Sequence, residues 1–226
     1  MINLTQQPLK EYAYNSIKKK ILNCEYYPNM ILSEDMLCTD LNISRTPVRD
    51  ALSRLSQDNL VTIVPKRGIF VQGITLNEMK NIYDVRMIME PQIILKYGMN
   101  GDLTVLKKFL EDFKKFDVDA VPPADFSQLD SDFHGFIFSM AQNLYFNQLY
   151  TNISNQNFRI SVMSGWELGE RRHESMREHI QIVEHLIDQE LEAAASVMET
   201  HIKKARQCKM ELLLSSNSFS NQLSLQ

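Results

Sequence analysis

The segment Leu32–Val71 reads LSEDMLCTDLNISRTPVRDALSRLSQDNLVTIVPKRGIFV and orders two short helices, a turn and a β-hairpin without interruption. Ser33 is placed to cap the first helix, and two acidic residues follow it in the first turn, where negative charge meets the positive end of the helix dipole. A turn falls at Asn42-Ile43, and the second helix starts near Arg45, where Ser44 or Thr46 can cap it. This order predicts a winged helix-turn-helix.

The second helix divides into two faces at 100° per residue. An apolar face centred on Val48 contains Ala51, Leu52 and Leu55. The polar residues that spread over the arc from roughly 60° to 160° are Arg45, Thr46, Arg49 and Ser53. We expect the apolar face to pack and the polar face to read DNA, whereas Arg54, near 240°, serves as a flanking charge or phosphate contact.

A β-branched run, Val61–Val64, and a second run, Ile69–Val71, predict the hairpin. Its tip places Lys66 and Arg67 beside Gly68, which suits a loop that follows a phosphate backbone or enters a minor groove. An exposed hairpin tip can also be basic without touching DNA. Its position next to the helix pair favours DNA contact.

Residues 8–72 resemble the DNA-binding domain of GntR-type bacterial transcription regulators, through SRTPVRDALSRL followed by PKRGIFV. The resemblance implies that the residues that meet DNA are Arg45, Thr46, Arg49 and Gly68. Family members often carry a basic residue where this chain has Asp35. That phosphate contact is therefore not implied for this chain.

The length of 226 residues is enough for two domains. We place the winged helix at 1–74 and a second domain at 75–214, followed by a polar tail over 215–226. The net charge of −4 is unevenly divided. Residues 1–74 hold 9 Lys+Arg and 7 Asp+Glu, for a net +2, and the remainder holds 15 and 21, for a net −6. Because phosphate binding depends on local positive surface, we expect DNA to touch only the first domain.

The composition is that of an ordinary globular protein, with 44% hydrophobic and 23% charged residues. No apolar run approaches the roughly 18 residues of a membrane span. The N-terminus lacks the pattern of a signal peptide, so we expect a cytoplasmic protein. Three widely spaced cysteines favour idle or buried thiols over a disulfide or a cysteine metal site.

The second domain reads as an antiparallel all-helical bundle, so the chain as a whole is mainly α. A capping box at Thr75 opens a helix that Pro91 kinks or splits and that Gly98 ends with a left-handed cap. Asp102 starts the next helix. Further helices are predicted near 125–142, 145–163, 170–189 and 191–214.

Four residues of this bundle can form a divalent-metal site: Asp130, His134, His179 and His201. The first two lie four residues apart on one helix face. The other two lie on separate helices and have apolar neighbours three and four residues away. One carboxylate and three imidazoles suit zinc, nickel or manganese. Alternatively, each histidine is a hydrogen-bonded core residue without a metal.

Residues 75–212 resemble the effector domain of FadR-type GntR regulators, through DSDFH, EHIQIVEHLID and METHIKKA. Many members hold a metal with one Asp and three His in this order, and the metal and an arginine bind the carboxylate of a small organic acid. The resemblance gives Arg86 and Arg159 as candidates for that arginine. Arg86 can instead pair with Glu90 four residues on, and Arg159 can be structural or exposed.

These observations predict a transcription regulator whose homodimer reads a palindromic operator in double-stranded DNA and responds to a small organic acid at the metal site. We expect it to act as a repressor, with activation as the alternative. One alternative is the same regulator with a metal-free structural bundle. A second is a metal-dependent hydrolase, although the chain offers no general base outside the ligand set.

Overall fold

The computed structural model describes residues 9–165 and 169–215. The chain divides into two compact units, Met1–Ile74 and Thr75–Gln226. Apart from Ser215, the predicted polar tail lies outside the described residues. No helix within the described ranges is both long and apolar enough to traverse a lipid bilayer.

The first unit is a winged helix-turn-helix. Its elements are α1 (Leu9–Leu22), β1 (Ile31–Leu32), α2 (Glu34–Leu41), α3 (Arg45–Gln57), β2 (Val61–Val64) and β3 (Gly68–Val71). The strands form an antiparallel sheet in the order β1-β3-β2. The short strand β1 pairs Ile31 with Phe70 and Leu32 with Ile69, so the wing has three strands rather than the predicted two.

Local sequence explains where α2 and α3 begin and end. The Ser33 hydroxyl accepts a hydrogen bond from the Met36 amide, and Asn42 adopts the left-handed conformation that ends α2, with φ 53° and ψ 47°. Ser44 occupies the position before α3, but its side chain makes no capping hydrogen bond. The expected hydroxyl cap is therefore wrong, although α3 begins at Arg45 as predicted.

The predicted apolar face of α3 is buried. Val48, Ala51 and Leu55 are fully buried, and they join a core that α1, α2 and the sheet complete. The burial leaves the opposite face of α3 exposed to solvent.

The second unit is helical throughout its described part. Its elements are α4 (Leu76–Tyr97), a 3-10 turn (Gly98–Asn100), α5 (Leu103–Lys115), α6 (Pro123–Ser139), α7 (Leu144–Gly165), α8 (Gly169–Ile187) and α9 (Leu191–Ser215). Helix α9 packs against α4 and α8, α6 packs against α7, and α5 packs against α8. The mainly helical fold is the one that the sequence predicts.

At Pro91 the sequence left open a kink or a split of α4. Pro91 lies inside one continuous helix, so the split is excluded. Gly98 has φ −55°, so it is not a left-handed cap. A Cβ at this position would lie 2.6 Å from Leu191 Cδ2, so the glycine permits close packing against the start of α9.

Candidate metal centre and nucleic-acid interface

Three helices bring the four predicted metal ligands together inside the second unit. Asp130 and His134 lie on α6, His179 on α8 and His201 on α9. Each residue offers one ligand atom, and these four atoms lie within 4.8 Å of one another. All four residues are buried.

The spacing of the ligand atoms fits a metal ion. His179 Nε2 lies 3.3 Å from His201 Nε2 and 3.5 Å from Asp130 Oδ1, and His134 Nε2 lies 3.6 Å from Asp130 Oδ1. Ligands about 2.1 Å from a tetrahedral ion stand about 3.4 Å apart. His134 Nε2 is buried without a hydrogen-bond partner, so this atom is available to a cation.

Two buried carboxylates orient two of the imidazole rings. His134 Nδ1 lies 2.5 Å from Glu90 Oε2, and His201 Nδ1 lies 2.9 Å from Glu178 Oε2. A carboxylate that accepts from Nδ1 fixes the tautomer with Nε2 free to bind a metal. Glu178 directly precedes His179, but no pattern in the sequence marked it as part of the site.

Burial sets the protonation of the ligands. Burial in the bundle holds the pKa of His179 well below its usual range and lowers the pKa of His201 to about 4. Burial alone would raise the pKa of Asp130, but the neighbouring histidines and Arg86 hold it well below its usual range. The two imidazoles are thus neutral and the carboxylate ionised near pH 7, as metal ligands require.

His134 differs from the other two histidines. Burial and the charge of Arg86 lower its pKa, but the carboxylates of Glu90 and Asp130 outweigh them and raise it. A metal ion at His134 therefore competes with protonation more strongly than at His179 or His201.

Arg86 lies beside this cluster. Its Nε donates to Glu90 Oε1 at 2.7 Å and its Nη1 donates to Asn157 Oδ1 at 3.2 Å, whereas its buried Nη2 has no hydrogen-bond partner. The pair with Glu90 that the sequence offered as an alternative is present. It leaves one donor of Arg86 available.

A cavity of about 40 Å³ adjoins the cluster and is lined by four basic side chains: Arg86, Arg171, Arg172 and Lys209. Asp130 and His201 line it too, so it reaches two of the metal ligands. Of these four basic residues, only Arg86 was predicted from the sequence to bind the acid. The GERRHES segment is so polar that helical periodicity alone did not show which of its arginines face inward.

The structure does not bring Arg159 to this cavity. Arg159 is fully buried, which contradicts a surface role, and its Nη1 donates to Gln156 Oε1 at 2.7 Å. It is absent from the described lining of the cavity. The charge of Arg159 acts instead on Glu78. Burial raises the pKa of Glu78, and Arg159 lowers it by a smaller amount, so the pKa is raised overall.

The two remaining histidines of α8 lie elsewhere. His173 Nε2 is 3.0 Å from Asp119 Oδ1, and His185 Nδ1 is 2.6 Å from Glu190 Oε2. Neither joins the cluster.

In the first unit, the residues predicted to read DNA are exposed on α3: Arg45, Thr46, Arg49 and Ser53. Arg45 Nη2 donates to Asp35 Oδ1 at 2.7 Å, and Arg49 Nε donates to Glu34 at 2.8 Å. Arg54 instead pairs with Glu11 of α1.

The wing exposes Lys66 and Arg67 at its tip. Lys66 takes φ 63°, and Gly68 takes φ 118°, a conformation that L side chains rarely adopt. The glycine therefore shapes the turn that presents the two cations.

Two family profiles match the chain. Residues 9–71 match the family of bacterial regulatory proteins named gntR, and residues 81–204, more than half of the chain, match the FCD domain. The chain belongs to the GntR family of transcription regulators with an FCD domain.

Relatives agree with this assignment. The chain is 24% identical to the uncharacterized HTH-type transcriptional regulator YdhC of Bacillus subtilis, covering 83% of this chain and 85% of that one. It is also 24% identical to the HTH-type transcriptional repressor RspR of Escherichia coli, covering 88% and 87%. These families and relatives are transcriptional regulators, not enzymes, which removes the hydrolase alternative.

A solved structure shares the fold. The Escherichia coli protein McbR/YncC superposes with a TM-score of 0.72 at 15% identity, over 92% of this chain and 100% of that one. The family matches make this GntR chain a DNA-binding transcription regulator, and its fold is a winged helix followed by a helical FCD unit.

Proposed function

We propose that this GntR regulator is a repressor that binds a palindromic operator as a homodimer and is controlled by a small organic acid at a divalent-metal site. Asp130, His134, His179 and His201 would hold zinc, nickel or manganese. The observation that carries the proposal is that this cluster shares Asp130 and His201 with a cavity lined by basic side chains. A purely structural core would have no need of four cations there.

The protein's own residues prepare the site for an acid. When bound, the ion supplies a Lewis-acidic position for one carboxylate oxygen. The free Nη2 of Arg86 would donate to the same carboxylate, since a guanidinium matches the geometry of a carboxylate. Glu90 holds both Arg86 and His134, so it fixes the acid-binding donor relative to a metal ligand.

In the first unit, Arg45, Thr46, Arg49 and Ser53 would read base edges in the major groove. The wing residues Lys66, Arg67 and Gly68 would contact the phosphate backbone or the minor groove. A single helix-turn-helix contacts one half-site, so two copies related by a two-fold axis would read a palindrome.

The test separates acid response from DNA binding. DNA bound by the full-length protein is selected from a random pool, and its affinity is measured by fluorescence anisotropy with zinc present, with and without a panel of small acids. We expect at least one acid to weaken operator binding by wild type. Arg86→Ala should lose the acid response because it removes a proposed donor to the acid. It should keep operator affinity because Arg86 lies in the helical unit and α3 lies in the winged-helix unit.

Arg177→Ala is the matched control, because Arg177 is exposed on α8 and pairs with Glu170. It should keep both properties. Loss of operator binding in an Arg86→Ala protein that remains folded would contradict the assigned role.

A further inference from the structure

The cavity beside the four candidate metal ligands is lined by more positive charge than the single carboxylate of a bound acid would balance. Arg86 is paired with Glu90, and Arg171 binds Glu178 through both Nη atoms, at 3.1 and 2.6 Å. Arg172 and Lys209 have no such partner: among residues 9–165 and 169–215, no carboxylate lies within ion-pair distance of either. Two half-buried cations therefore face the cavity without a counter-charge from the described residues.

Several donors in the same lining lack partners. Arg172 Nε and Nη1, Arg171 Nε and the hydroxyl of Tyr83 are buried without hydrogen-bond partners among the described residues. Arg171 is only 9% exposed and Tyr83 is fully buried. Because a buried donor without an acceptor is unfavourable, a cluster of such donors points to an acceptor that a ligand brings.

Contacts with Ser161 and Tyr83 hold the Lys209 ammonium at the wall of the same cavity. Its Nζ donates to Ser161 Oγ at 2.7 Å and lies 5.5 Å from the centre of the Tyr83 ring. These contacts fix the ammonium at the cavity wall without neutralising it.

We infer that the cavity takes a short acid with two anionic groups, one at the metal and Arg86 and the second at Arg172 and Lys209. This inference rests on the proposed function, which requires only one carboxylate. The charges support it: a divalent ion with Asp130 keeps one positive charge, the first carboxylate neutralises that charge, and Arg172 and Lys209 remain for a second anion. The cavity of about 40 Å³ gives roughly three times the space of one water, which favours a chain of few carbons.

The experiment compares acids that differ in their second anionic group. Zinc-loaded full-length protein is titrated by calorimetry with acetate, propionate, malonate, succinate and monomethyl succinate. Succinate or malonate should bind at least tenfold tighter than the monoanions, since a charge-assisted hydrogen bond contributes about 1.5–3 kcal/mol. Monomethyl succinate should bind like propionate.

Two variants locate the second subsite, and one variant serves as a control. Arg172→Gln and Lys209→Gln should each weaken dianion binding by about tenfold and leave monoanion binding within about twofold. Arg177→Gln, on the exposed side of α8, should change neither. Zinc content and melting temperature of each variant verify that the fold and the metal site are intact, and Lys209→Gln provides the test if Arg172→Gln is unstable.

The outcomes separate the two claims. If monoanions bind and dianions bind no tighter, or if both variants weaken both classes equally, the second subsite is wrong and the proposed function stands. If no acid binds the zinc-loaded protein, both this inference and the proposed acid response fall.

Discussion

Two acidic side chains hold the arginines that we propose read DNA. Asp35 pairs with Arg45 and Glu34 pairs with Arg49, and the side chains of Arg45 and Asp35 are 62% and 74% exposed. Exposed ion pairs contribute only about 0–1 kcal/mol, so DNA can displace these carboxylates. The pairs would orient the guanidinium groups before binding, but Asp35 would also place a negative charge near the phosphates in the DNA complex that we propose.

Replacing Asp35 tests this contact. Asp35→Asn should tighten operator binding by roughly three- to tenfold and make the dependence of affinity on salt steeper by about one unit of slope, because Arg45 is released and a repulsive charge is removed. Anisotropy titrations over a range of salt concentrations measure both effects. Glu192→Gln makes the same charge change in the helical unit and should leave the affinity unchanged, so an equal effect of the two substitutions would contradict a local role for Asp35.

Glu90 contacts both a proposed metal ligand, His134, and the proposed acid-binding residue, Arg86. It is fully buried, its Oε1 accepts from Arg86 and its Oε2 lies beside His134 Nδ1. Burial opposes its ionisation, but Arg86 and His134 lower its pKa to about 2. Glu90 is therefore an ionised acceptor near pH 7.

Removing that charge should weaken the metal site. We expect Glu90→Gln to lower zinc affinity by roughly ten- to a hundredfold, since the amide holds the His134 ring less firmly. Competition with a chelating dye measures the affinity. Glu184→Gln, on the exposed side of α8, is the control, and unchanged zinc affinity in a folded Glu90→Gln protein would exclude the orienting role.

At the scale of elements, the helix ends that depend on neighbouring residues could be predicted from the sequence. Thr75 and Asp102 each accept a capping hydrogen bond from the backbone, and Asn42 takes the left-handed turn. These features depend on three or four neighbouring residues, which the sequence shows directly.

The elements that escaped prediction depend on distant residues. The strand β1 has only two residues, and its stability comes from pairing with β3 about forty positions later. Gly98 follows a helix, so its local sequence predicts a left-handed cap. The actual reason for a glycine there is the close packing against Leu191, a tertiary contact that the local sequence does not show. The spacing of Asp130 and the three histidines indicated the candidate metal site. Arg171 and Arg172 could be placed beside it only once the structure showed which side of α8 faces inward.

The cap of α4 offers a prediction at this scale. Thr75→Ala should lower the free energy of unfolding of the helical unit by about 1 kcal/mol, because the Glu78 amide loses its acceptor. Urea denaturation is followed by the fluorescence of Trp166, the single tryptophan of the chain. Thr75→Ser keeps the hydroxyl and should restore most of the stability; equal losses in the two variants would show that the cap does not contribute.

The whole molecule separates two chemistries in two compact units. The winged-helix unit carries the positive charge and the exposed arginines of α3, and the helical unit carries the net negative charge and the buried residues that we propose as metal ligands. If both proposals hold, substitutions can alter DNA affinity and acid response independently, although the acid must change the operator affinity.

Elemental analysis of tag-free full-length protein, with His179→Ala beside His173→Ala, tests the metal site most directly. The two histidines share α8, but only His179 joins the cluster, whereas His173 pairs with Asp119 at the surface. We predict about one zinc, nickel or manganese ion per chain in wild type and in His173→Ala, and a near-complete loss in His179→Ala. Wild-type protein that holds no metal after exposure to these ions, or equal metal in the two variants, would contradict the account.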